Sequence, residues 1–163
     1  MQIQILKRIP IFSSLKSEDL NRLQKLLSHH SYSKDSLIFI EKDVGNSMFI
    51  IHKGRVKISR MSEEGREVIL AILREKDFFG EISLLDGMPR SASVTAIEDT
   101  EMFMLKREDF LNLLKHFPKI SIALLKEFAR RMRNSDSQIK TLFLLNAPGR
   151  IAFTIVQMAE AQS

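Results

Sequence analysis

Gly80-Glu81-Ile82-Ser83-Leu84-Leu85, followed by Arg90-Ser91, brings together groups suited to holding a cyclic sugar-phosphate. Gly80 has no Cβ, so the backbone there can approach a ligand closely. The Glu81 carboxylate accepts hydrogen bonds from a hydroxyl. Ile82 to Leu85 suffice for one helical turn, whose free N–H groups and dipole favour an anion. Arg90 carries a planar, permanently charged fork that suits phosphate oxygens, and Ser91 adds a hydroxyl donor beside it. A glycine, a carboxylate and a later arginine also occur in ordinary loops, so the surrounding elements must carry the assignment.

Those elements change character along the 163 residues. A first helix is expected from Ser17 as cap, with Glu18 and Asp19 in its first turn and Leu20, Leu23 and Leu27 at helical spacing. Ile9-Pro10-Ile11-Phe12 offers apolar anchors ahead of it. From Ser36 to Lys106 the period shifts to short runs rich in β-branched or aromatic residues: Leu37–Glu41, Met48–His52, Arg55–Met61, Glu67–Leu73, Ser91–Ala96 and Glu101–Lys106. Turn signals such as Asp43-Val44-Gly45-Asn46, Lys53-Gly54 and Asp86-Gly87 separate them. Five of the six glycines fall between elements in this region, where positive φ is expected. Many short strands with such punctuation predict a sandwich or jelly roll.

Arg107 to Leu114 reads as a short helix, and Pro118 opens a longer one. Along it Leu125, Phe128, Met132, Ser135, Ile139 and Leu142 step by three and four. A helix packed on its own sheet gives a similar stripe. The alternative is a parallel coiled coil in which a second copy buries the seam, its polar member setting register or facing a ligand. Asn146-Ala147-Pro148-Gly149 then breaks the pattern, and Arg150 to Ala161 restarts a helix with Ile151, Ile155, Met158 and Ala159 on one face. The expected organisation is therefore residues 1–117, 118–145 and 146–163.

Composition narrows the function classes. No cysteine is present, which excludes disulfides and cysteine-held clusters and fits a cytoplasmic protein. Met1 to Phe12 has no secretory pattern, and no stretch approaches the ~20 apolar residues of a membrane span. The net charge of +5 points only weakly to anionic partners, because Lys126, Arg130, Arg131, Arg133 and Lys140 fit a solvated helix face.

The sixteen residues from Phe79 to Val94 resemble the phosphate-binding cassette of cyclic-nucleotide-binding domains. Beyond the cassette, the Pro-Ile-Phe-x-x-Leu start, the Lys-Gly-x-Val strand, the Ala-Arg-Arg-Met stretch and the Gly-Arg-Ile-Ala helix opening are similar to the sensory part of bacterial transcription regulators of the cyclic-AMP receptor and fumarate–nitrate regulator (CRP/FNR) family. The resemblance implies a mainly β fold with helices: a double-stranded β-helix, or jelly-roll-like β-roll, with an N-terminal helix and a long C-terminal dimerisation helix. It implies a cyclic nucleotide effector, cyclic AMP with cyclic GMP as the other choice, and no covalent cofactor. Gly80 and Ile82 would offer backbone contacts, Glu81 would hold the ribose 2′-hydroxyl, Arg90 and Ser91 would clamp the phosphate, and Leu70 would line the pocket. Ser135 aligns with a hydroxyl residue that meets the adenine amino group near the dimer axis. Asp136 departs from the hydroxyl residue of the cyclic-AMP receptor, and a carboxylate there accepts a guanine N–H as readily. The resemblance also implies a homodimer whose contacts with DNA and RNA polymerase run through a winged helix-turn-helix. These residues hold only its first helix, which reads as the mark of a fragment.

Other classes are weaker. Metal-dependent jelly-roll enzymes need two or three histidines and a carboxylate on one metal; His29, His30, His52 and His116 form no such spacing, and no catalytic residues are assigned. A haem-based gas sensor would use His52, unsupported by a motif. A cyclic dinucleotide sensor and a ligand-free or stand-alone dimeric β-roll complete the alternatives. The intact Glu81 and Arg90 argue against the ligand-free form, since a buried unpaired charge is costly.

Overall fold

The computed structural model describes residues 3–144 and 147–160. They fall into two compact units, residues 1–121 and 122–163. The first unit opens with α1 (Ile3–Lys7), a 3-10 turn (Pro10–Phe12) and α2 (Ser17–Leu26). Ser17 stands at the first helical position and is not the cap: Lys16 holds the cap position, with no side-chain hydrogen bond. Leu6, Ile11, Phe12, Leu20 and Leu23 are all buried, so the expected apolar anchors tie this end down.

Eight strands follow. They are β1 (Ser28–Tyr32), β2 (Leu37–Phe39), β3 (Ser47–Lys53), β4 (Val56–Met61), β5 (Glu67–Leu73), β6 (Phe78–Phe79), β7 (Ser93–Ala96) and β8 (Thr100–Lys106). They form two four-stranded antiparallel sheets, ordered β1-β8-β3-β6 and β2-β7-β4-β5. Strands adjacent in sequence often lie in different sheets, as the jelly-roll expectation requires. Phe49, Ile51, Val56, Phe79, Val94 and Met102 make a buried cluster drawn from both sheets, with Tyr32, Phe39, Ile58 and Leu73 packed against it. Their spacing by two along β3 is the period that sends alternate side chains inward. β1 is absent from the sequence expectation because Ser-His-His-Ser-Tyr has little apolar alternation; pairing with β8 holds it.

Between β6 and β7 lies α3 (Glu81–Asp86), and after β8 comes α4 (Arg107–His116). α5 (Pro118–Leu144) starts at the expected proline. Along it Leu125, Met132 and Ile139 are exposed, and Phe128 is half-buried. The side chain of Leu142 lies outside the described residues, as does Asn146. α6 (Ala147–Glu160) starts three residues before the expected Arg150. Pro148 and Gly149 therefore sit in its first turn, where proline costs no hydrogen bond. Among the described residues no helix is long and apolar enough to cross a membrane.

Candidate functional site: the α3 cassette

β3 and β6 pair antiparallel, with Phe49 opposite Phe79, and so bring the chain to Gly80 at a fixed height. Gly80 takes φ 85°, a left-handed conformation that admits glycine without strain. A Cβ there would stand 2.8 Å from Arg90 Nη1 and 3.1 Å from the Ser47 carbonyl oxygen. The residue is thus glycine for both conformation and space. α3 begins at the next residue, Glu81, which is 1% exposed, and Gly87 closes the helix with its N–H donating to Ser83 O at 3.1 Å.

Arg90 lies under this turn, 5% exposed although it carries a full charge. Nη1 donates to Gly80 O at 2.7 Å and Nη2 to Ser47 O at 2.6 Å. The guanidinium carbon stands 4.1 Å from the centre of the Phe39 ring, a cation–π contact. Phe39 itself packs on Phe49 and Phe79, whose rings stack at 5.3 Å. The main chain of Arg90 is pinned as well: its N–H donates to Asp43 O and its carbonyl accepts from Lys42 N–H, both at 2.8 Å. Lys42 holds φ 74° to make that contact, a conformation that costs a non-glycine residue about 1 kcal/mol. Burial pulls the Arg90 guanidinium below its ordinary pKa, and the Glu81 and Asp43 carboxylates offset that loss.

One donor of this fork has no partner: Arg90 Nε is buried and makes no hydrogen bond. A buried unsatisfied donor costs about 1–3 kcal/mol. A phosphate oxygen arriving beside α3 would relieve it and would also meet the positive end of the helix. The residues present therefore fit an anionic phosphate group.

Gly45 is the exception among the glycines expected at positive φ. Its φ is ordinary, and close packing explains it instead: a Cβ there would meet Ser83 Cβ at 2.4 Å, Ser83 Oγ at 2.8 Å and Arg90 Cζ at 3.2 Å. The β2–β3 loop thus lies directly against the cassette.

The site residues expected from sequence divide into two groups. Gly80, Glu81 and Ile82 open α3 and Arg90 bonds to Gly80 O, while Ser91 follows Arg90 in the chain; Ile82 and Ser91 are exposed. Leu70, also in the first unit, is 44% exposed on β5. It is the extra residue of a bulge, since Ile58 pairs with Ala71 and Ser59 with Ile69. Bulges of this kind re-aim a side chain. Ser135 and Asp136 lie on α5 in the second unit, both exposed, and Ser135 Oγ donates to Arg131 O at 3.1 Å. Ser47, Phe39, Asp43 and Gly45 were not expected in the site, and Ser83 had no role assigned within the cassette; only the turn signal that holds Asp43 and Gly45 could have marked any of the four.

The histidines are placed elsewhere. His29 lies 3.3 Å from Glu101, and His52 stacks on Phe103 with ring centres 5.4 Å apart. Among the described residues no cluster of three His, Cys, Asp or Glu side chains could hold a metal ion.

Residues 29–117 match the family model for the cyclic nucleotide-binding domain. The chain is 33% identical over 153 residues to the "Cyclic AMP receptor protein" of Thermus thermophilus, covering 94% of this chain and 71% of that one. It is 32% identical over 157 residues to the "CRP-like cAMP-activated global transcriptional regulator" of Mycobacterium tuberculosis, covering 96% of this chain and 70% of that one. Among solved structures it is similar to the catabolite activator protein of Thermus thermophilus, with a TM-score of 0.73 and 35% identity. That match covers 82% of this chain but spans only 62% of the chain in the crystal.

Proposed function

The chain belongs to the cyclic nucleotide-binding domain family, among relatives named as CRP-type transcriptional regulators, and from that premise we propose that it is the effector-sensing region of such a regulator, with cyclic AMP as its effector. The observation that carries the proposal is the buried Arg90 fork with its free Nε, set beneath the left-handed Gly80 and the first turn of α3. In this reading Arg90 and Ser91 hold the cyclic phosphate, and Glu81 accepts from the ribose hydroxyl. Gly80 and Ile82 contribute main-chain groups, and Leu70 supplies an apolar wall. Ser135 and Asp136 meet the base, which requires the Ser135 hydroxyl to leave Arg131 O.

The same proposal gives α5 the role of a dimer helix. Leu125 and Met132 expose 65% and 64% of their surface and Ile139 52%, an apolar row that a second copy would cover. The regulator's output would then pass through α5 to a DNA-binding domain of which α6 is the first helix, and contacts with DNA and RNA polymerase would belong to that domain.

Isothermal titration with cyclic AMP and then cyclic GMP tests the reading, with Arg90→Ala as control. Saturable binding is expected for the chain, weakened at least about thirtyfold in the variant, which corresponds to ~2 kcal/mol for a lost buried charge contact. Equal affinity in the variant would remove Arg90 from the site. No heat with either nucleotide would move the function to another effector.

A further inference from the structure

Six residues are too few for α3 to hold its own shape, because a first turn fixes several dihedrals for a single hydrogen bond. Two arginines grip it from opposite ends. Arg90 donates to Gly80 O, immediately before the first turn. Arg107 Nε donates to Leu84 O at 3.1 Å, near the last turn. The last four carbonyls of a helix have no partner within it, and Gly87 N–H already serves Ser83. Arg107 Nη2 also lies 4.0 Å from where a Cβ on Gly87 would stand. Its cation therefore lies at the negative end of the helix, where it is favourable.

The two grips share a segment. Arg107 N–H donates to Asn46 O at 2.9 Å, and the neighbouring Ser47 carbonyl takes Arg90 Nη2 at 2.6 Å. Gly45, just before them, lies against Ser83 in the middle of α3. Residues 45–47 thus run between the arginines along the helix.

We propose that Arg107 is a positioning residue for the phosphate site. It acts through α3: by holding Leu84 O it fixes the helix along its axis, and with it Glu81 and the first-turn amides that face the ligand. Arg107 is also the first residue of α4, so its side chain ties α3 directly to the point where β8 passes into that helix. The inference rests on the cyclic-nucleotide reading above.

The test compares Arg107→Met, which keeps an apolar stem but no donor, with Arg107→Lys, which keeps a cationic donor. Both are titrated with cyclic AMP as full chains, alongside melting temperature and amide hydrogen exchange. Arg107→Met is expected to bind about tenfold more weakly, ~1.4 kcal/mol, and to exchange the Leu84–Gly87 amides about tenfold faster while β3 and β8 stay protected. Arg107→Lys is expected to remain within about threefold of the parent in both. Binding by Arg107→Met within twofold of the parent overturns the inference. So does a loss matched by faster exchange throughout β3 and β8, which would mark a general defect. If the parent chain binds neither cyclic AMP nor cyclic GMP, the ligand reading falls by itself; the exchange comparison then decides for or against Arg107 as the anchor of α3.

Discussion

Gly45→Ala isolates the contact between the β2–β3 loop and the cassette. The added Cβ would stand 2.4 Å from Ser83 Cβ and 2.8 Å from its Oγ, and no rotamer of Ser83 moves its own Cβ away. Ser83 is 3% exposed and Arg90, 3.2 Å from the same point, 5%, so neither has room to retreat. Overpacking a closed site costs about 1–3 kcal/mol, and this geometry belongs at the upper end. For a chain of this length each kcal/mol lowers the melting temperature by about 2–4 °C, giving a fall of roughly 6–12 °C. Affinity for cyclic AMP should fall about tenfold as Arg90 is pushed from its two carbonyls. Ser83→Gly in the same chain removes both clashing atoms at a helix cost of about 1 kcal/mol, so the double variant should regain about two thirds of the loss. Gly65→Ala serves as the control: nothing lies within 4 Å of its Cβ, only φ of 76° is strained, and binding should be unchanged. Calorimetry of the parent and the three variants checks this. A Gly45→Ala chain as stable as the parent, or one that Ser83→Gly does not rescue, refutes the reasoning.

Three further outcomes are expected. Met132→Glu or Ile139→Glu on α5 should give monomers by sedimentation, because a carboxylate buried in an apolar seam costs several kcal/mol; a persistent dimer would refute the seam. Arg130 and then Arg131 donate to Glu127, holding its carboxyl below its ordinary value, so the stabilisation they confer is complete above about pH 4.3 and is lost as pH falls through the lower folded value. Glu127→Gln should flatten this acid loss of helicity by roughly 0.5 kcal/mol, the scale of partly exposed pairs, and an unchanged acid profile by circular dichroism would exclude the pair as its source. Asp136→Ser should raise the ratio of cyclic AMP to cyclic GMP affinity about tenfold in titration, and a constant ratio would mean that Asp136 does not read the base.

The cassette is legible in the sequence because its parts are local: Gly80, Glu81 and Arg90 lie within eleven residues, and each has a chemical reason to be its own type. What supports them is not legible. Arg90 reaches Ser47, 43 positions earlier, through a main-chain carbonyl that any residue would offer. Phe39 reads as an ordinary strand aromatic until pairing places it beneath a guanidinium. Gly45 sits inside a predicted turn and suggests positive φ, whereas it is glycine for want of space. Arg107 reads as the start of a helix, and only the packing of α3 against β3 and α4 gives its side chain a partner. Ser17 fits a cap by type, yet the backbone places Lys16 there. At the strands the pattern carries most: β5 has its predicted ends, while β1 depends on β8 and has no periodicity of its own.

The arginine at the centre of the site also constrains how a signal could leave it. Both Nη groups already hold Gly80 and Ser47, and two carboxylates sustain the charge, so a phosphate would find the fork oriented and would add a partner at Nε. A site arranged in advance binds well because little ordering is required. For the same reason, docking on Arg90 alone cannot drive a conformational change: a ligand held equally in two states shifts neither. The difference must arise at parts that only a few contacts hold in place. α3 meets that condition. It is one short turn held at its ends by Arg90 and Arg107, with Ile82 and Leu85 exposed on its outer side. In the proposed reading affinity belongs to Arg90, and a conformational response to α3 beside it. On this division Arg107→Met should lower affinity modestly by loosening α3, and Arg90→Ala should weaken binding further without revealing which state the ligand prefers.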